Sequence, residues 1–87
     1  MVSAKTVIVN EQGMHMRPAQ LFVTAMSKYP ASVNILFNGK TINAKSIMFL
    51  MSACLKRGSE IEVQCDGPQE EEALKEAISL IESGLGE

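Results

Sequence analysis

The sequence predicts an α+β domain in which one amphipathic sheet is covered on one face by helices. Three observations predict it. Glu60 to Cys65 places Ile61, Val63 and Cys65 on one side and Glu60, Glu62 and Gln64 on the other, and Val33, Ile35 and Phe37 alternate with Asn34 and Leu36. Both are the two-residue period of a half-buried strand. Ala19, Phe22, Val23 and Met26 recur at helical spacing, as do Ala73, Leu74, Ala77, Ile78 and Ile81, so two helices each have one apolar stripe to bury. Between the strands, Asn38-Gly39 is a strong two-residue hairpin signal, because both residues tolerate positive φ. A sheet with one apolar face is most economically buried beneath such helices.

The elements follow in order. Thr6 to Val9 is a short β-branched run and reads as a strand, broken by Asn10 to Gly13. Met16 to Lys28 reads as a helix, with Pro18 tolerated only near its start. Tyr29-Pro30 ends it. The Val33–Phe37 strand returns through the hairpin as Lys40 to Asn43. Ser46 is placed to cap a short helix from Ile47 to about Ala53, and Arg57-Gly58-Ser59 is a turn. After the Glu60–Cys65 strand, Asp66-Gly67-Pro68 opens the last helix, with the proline near its first position. Glu70, Glu71 and Glu72 fall in its first turn, where negative charge suits the dipole, and Gly84 ends it. The element order is β-α-β-β-α-β-α.

Eighty-seven residues make one domain, 1–87, with room for a modest core but not for a second lobe around a deep cavity. A net charge of −2 argues against a basic nucleic-acid face. Cys54 and Cys65 lack CxxC spacing; one disulfide is compatible with the sequence, and free thiols in a reducing cytosol are the expectation. The start has no signal-peptide architecture, and the apolar run from Ile47 to Met51 is far too short to span a bilayer. A cytoplasmic protein with no membrane insertion is expected.

The chain has one histidine, His15, in Gly13-Met14-His15-Met16-Arg17-Pro18. It falls at or beside the N-cap of the first helix, whose first backbone N–H groups, at Met16 and Arg17, lack intrahelical partners. Those amides form an anion site at the positive end of the dipole. Arg17 adds a planar guanidinium fork that binds phosphate oxygens. A nucleophilic imidazole, two amides and an arginine therefore converge within three residues, which suits transient phosphorylation of a ring nitrogen without a bound metal or cofactor. A lone histidine before a helix is more commonly a solvent-exposed capping residue, so chemistry alone leaves both readings open.

Gly-Met-His-Met-Arg-Pro-Ala at 13–19 resembles the active-site signature of the HPr family, the histidine-containing phosphocarriers of the bacterial phosphoenolpyruvate:sugar phosphotransferase system. Asn38-Gly39-Lys40, Ala44 to Met48, the Lys56-to-Glu60 turn and the Gly67-Pro68 helix start fall where that family has its counterparts, so the likeness covers essentially the whole chain. It implies an open-faced sandwich, a four-stranded antiparallel sheet covered on one face by three helices. It implies that His15 takes a phosphoryl group on Nδ1 from enzyme I and passes it to sugar-specific IIA proteins, with Arg17 orienting the phosphate. It also implies that Ser46 is a regulatory phosphorylation site, served in many Gram-positive relatives by HPr kinase/phosphorylase, the product acting with catabolite control protein A. Met14, Met16 and Phe49 depart from residues common in the family and bear on partner preference. Gly67 to Leu74 is also similar to the nitrogen-branch paralogue.

Docking to partners needs an exposed apolar patch rimmed by polar groups. Met16, Gln20, Leu21 and Thr24 lie off the buried stripe of the first helix, and Ile47, Met48 and Met51 supply the adjoining surface, with Lys28 and Lys45 flanking it. Ile47 and Leu21 would equally fill core. Other classes fit less well. A cysteine hydrolase using Cys54 with His15 has no third orienting residue. One histidine and two distant cysteines are too few for a metal site. An RNA-binding sheet would show aromatics and basic charge. A purely regulatory HPr-like protein is the remaining alternative, and a monomer is expected.

Overall fold

The computed structural model describes residues 1–85. Its elements are β1 (Val2–Val7), α1 (Met16–Met26), β2 (Ser32–Phe37), β3 (Lys40–Asn43), α2 (Ile47–Ser52), β4 (Glu60–Asp66) and α3 (Glu70–Glu82). The strands form one antiparallel sheet in the order β1-β4-β2-β3. This is the four-stranded, three-helix open-faced sandwich expected from the sequence.

Register explains the two faces. One row of paired positions runs Ala4, Val63, Ile35, Ile42; the last three belong to the core beneath the helices, and Ala4 is half-buried at the edge. The next row, Ser3, Gln64, Asn34, Asn43, is polar from edge to edge and faces away from it. Lys5 stands opposite Glu62 on that open side, an attractive cross-strand pair. Phe22 and Met26 of α1, Leu50 of α2 and Ala73, Ala77 and Ile81 of α3 complete the core, all fully buried. The hairpin forms as expected, with φ of 51° at Asn38 and 77° at Gly39 and Phe37 paired to Lys40.

Three elements differ from the sequence reading by more than one residue. The first strand occupies Val2–Val7 rather than Thr6 to Val9. It is an edge strand in which Val2 packs partly against the core and Thr6 is buried, and only its last two residues fall in the β-branched run. Helix α1 stops at Met26 instead of Lys28. The Ser27 side chain and N–H both bond the Val23 carbonyl, and Lys28 and Tyr29 close tighter turns onto Ala25 and Met26. Helix α3 starts at Glu70, which leaves Pro68 outside it. Gln69 is the N-cap, in a left-handed conformation at φ 62°. Glu70 Oε1 accepts the Gly67 N–H at 3.0 Å, bridging the turn that precedes the helix. At the other end Leu85 N–H bonds the Leu80 carbonyl and Gly84 N–H the Ile81 carbonyl, the paired bonds of a Schellman motif.

Candidate functional site

The segment leading to α1 is held by the segment leading to β4. Ile8 N–H donates to the Ser59 carbonyl at 3.0 Å, and Gly58 N–H donates to the Ile8 carbonyl at 2.8 Å. Met14 N–H donates to the Leu55 carbonyl at 2.8 Å. Gly13, between these contacts, has φ +70°, and a Cβ there would lie 2.3 Å from the Leu55 oxygen and 2.9 Å from Lys56 Cα. Only glycine fits. Asn10 closes the loop from inside: its carbonyl accepts the Gly13 N–H at 3.0 Å, and its Nδ2 donates to the Gly13 carbonyl. Asn10 is 5% exposed, and its Oδ1 has no hydrogen-bond partner among the described residues.

His15 is the N-cap of α1, in extended conformation, and its side chain makes no capping bond. Its N–H donates to the Gly13 carbonyl at 3.1 Å, and its carbonyl accepts the Ala19 N–H at 3.0 Å, which opens the helix. Met16, Arg17 and Pro18 are the first three helical residues. None of the three donates an intrahelical bond, because first-turn N–H groups have no carbonyl one turn back and Pro18 has no N–H. No acidic side chain lies in the first turn to compensate the positive dipole end. Met16 and Arg17 are exposed, His15 is half-buried and Pro18 is buried. The structure thus places His15 at the N-cap of α1 and Arg17 two residues further on, in its first turn.

Ser46 is the N-cap of α2, its Oγ accepting the Phe49 N–H at 3.3 Å. Ser46→Ala should lower stability by about 1 kcal/mol, read as a fall in urea midpoint at constant m; an unchanged midpoint would show the cap to be inert.

Helices α1 and α2 pack side by side, so their outer surfaces adjoin. Met16, Gln20, Leu21, Thr24, Met48 and Met51 are all exposed, Met48 at 80%. Ile47 is half-buried and only partly available. Phe49 is 59% exposed beside Met48; the alternation of a one-and-a-half-turn helix is too short to have shown that it faces outward. The two lysines do not simply flank this patch. Lys45 Nζ donates to the Tyr29 carbonyl at 2.6 Å, and Lys28 Nζ pairs with Glu76 at 3.1 Å. Tyr29 also donates to Glu76 Oε1, and this bond, followed by Lys28, holds the Glu76 carboxyl below the usual carboxylate range. Lys45 thus ties the segment after α1 to the turn before α2, and Lys28 ties it to α3.

Cys54 is an exposed free thiol and Cys65 a buried one, whose pKa burial pushes up. Among the described residues no group of three or more His, Cys, Asp or Glu is placed to hold a metal, and no helix is long and apolar enough to cross a membrane.

Known proteins share this fold. The family model for the PTS HPr component phosphorylation site matches residues 2–83. HPr of Thermoanaerobacter tengcongensis, in a crystal structure, is 40% identical over all of this chain and 98% of that one, with TM-score 0.95. The phosphocarrier protein HPr of Bacillus anthracis is 36% identical over 92% and 95% of the two chains, with TM-score 0.88. Crh of Bacillus subtilis, a catabolite repression protein crystallised as a domain-swapped dimer, is 34% identical over 97% of each chain, with TM-score 0.78. With nearly every residue covered by the family model and by these structures, the chain belongs to the HPr family of phosphotransferase-system phosphocarrier proteins.

Proposed function

We propose that this protein carries a phosphoryl group on His15, taking it from enzyme I and giving it to sugar-specific IIA proteins in the cytoplasm, as a monomer. The observation that supports this best is the placement of the only histidine of the sequence at the N-cap of α1, with Met16 and Arg17 as the first helical residues after it. In the receiving step His15 Nδ1 attacks the phosphorus of the donor phosphohistidine. The new N–P bond forms as the donor N–P bond breaks, and the electron pair returns to the donor imidazole. Charge on the three equatorial oxygens is met by the two amides and the guanidinium. The delivering step is the same exchange with the roles reversed. Partners dock on the surface of Met16, Gln20, Leu21, Thr24, Met48 and Met51, with Ile47 at its margin.

Ser46 supports a second, regulatory layer. A phosphate there would lie at the start of α2, next to the proposed docking surface, where added negative charge would oppose acidic partners. Recognition of the modified form by catabolite control protein A follows on this reading. The likeness to Crh favours keeping it beside the carrier role.

The deciding experiment is intact mass after incubation with enzyme I and phosphoenolpyruvate. We expect an acid-labile gain of one phosphoryl group that His15→Ala abolishes. No gain from a competent donor would sink the sugar-branch reading and leave the nitrogen-branch donor, or Ser46 with ATP and the kinase, to be tried.

A further inference from the structure

We propose that Asn10 is a positioning residue for His15, its buried side-chain amide holding the Gly13 carbonyl and so setting where the imidazole stands before α1. The inference rests on the phosphocarrier reading above. The Gly13 carbonyl accepts from Asn10 Nδ2 on one side and from the His15 N–H, at 3.1 Å, on the other. Asn10 side chain, Gly13 carbonyl and His15 backbone are therefore one connected chain of hydrogen bonds. The Asn10 carbonyl takes the Gly13 N–H as well, so both polar groups of that peptide residue answer to Asn10. From the other side the Leu55 carbonyl holds Met14. The histidine sits at the end of a loop gripped at two points.

Asparagine is a poor choice here if only the fold is served. The position is 5% exposed, and Ile8 and Met14 nearby in the chain belong to the core. An apolar side chain would fill the place without leaving Oδ1 buried and unpartnered, a condition that destabilises the folded state. A buried polar group retained against stability is what support of a functional site looks like. Asn10 is not on the outer surface of α1 or α2, so its effect belongs to the transfer step and not to docking. In-line transfer is sensitive to small displacements of the nucleophile.

The test is steady-state transfer from enzyme I and phosphoenolpyruvate with the carrier concentration varied, comparing wild type with Asn10→Leu. Leucine matches asparagine in shape and removes both the donor and the orphaned acceptor. We expect Asn10→Leu to melt at or above the wild-type Tm while kcat falls about tenfold at unchanged KM. A wild-type kcat, a raised KM alone, or a loss of rate that merely follows a lower Tm would overturn the proposal. Should Asn10→Leu not fold, Asn10→Ser and Asn10→Ala differ only in a hydroxyl donor: a faster serine variant supports the proposal, and equal rates overturn it. If wild type accepts no phosphoryl group, the carrier reading fails, and NMR still decides the role of Asn10. The His15 ring resonances should shift in the folded variant, and unchanged resonances would refute the positioning role.

Discussion

Gly13→Ala is expected to cost the protein both stability and phosphoryl acceptance. The added methyl group meets backbone atoms, at 2.3 Å from the Leu55 oxygen and 2.9 Å from Lys56 Cα, and backbone cannot rotate aside as a side chain would. The left-handed conformation itself costs alanine about 1–2 kcal/mol. Relief of the clash must separate the two segments and break the Met14-to-Leu55 bond, about 1–3 kcal/mol for buried groups left unmatched. The sum is a large part of what a domain of this size has, roughly 0.05–0.15 kcal/mol per residue. Urea denaturation measures the first effect, and enzyme I-dependent phosphorylation of the remaining folded fraction measures the second. A wild-type midpoint would mean that the loop has room it does not show.

Phe22→Ala should be as damaging by a different route. Phe22 is fully buried and is the largest side chain that α1 contributes to the core. Truncating such a residue removes its transfer free energy and leaves a cavity, together about 3–5 kcal/mol. The helix whose N-terminus carries His15 is seated on the sheet through Phe22, Ala19 and Met26. The variant should therefore denature at a much lower urea concentration, and phosphate acceptance should fall with the folded fraction. A loss of less than about 1 kcal/mol would show that the core repacks freely around α1.

What the sequence made legible was what neighbouring residues decide. Strand β4 and hairpin β2–β3 are buried on one face, so their alternation is clean and Asn38-Gly39 marks the turn. His15 at the N-cap and Arg17 in the first turn follow from the helix start alone. Legibility ended where distant segments decide. Val2 to Val7 carries a weak pattern and is a strand because β4 pairs with it. Gln69 begins α3 by a left-handed cap that no residue type announces, with Glu70 reaching back to Gly67. Asn10 looked like a strand breaker. Its bonds to Gly13 matter because the 55–59 segment pins the same loop, a juxtaposition that no local spacing encodes. Lys28 and Lys45 looked like free surface charge for the same reason.

The strand order has a consequence for how the protein comes into being. β1 lies at the sheet edge and pairs only with β4, Val2 opposite Cys65 and Val7 opposite Glu60, while α3 covers it. β1 thus finds its place only after β4, nearly sixty residues further on, has been made. Closing so long a loop is paid in chain entropy before any contact repays it, which slows folding relative to a helical bundle of equal size. Because the Leu55 and Ser59 carbonyls hold the loop before His15, a nascent chain on the ribosome has its histidine long before it has a carrier. Competence waits on the return of the 55–66 segment to the loop before His15 and to β1.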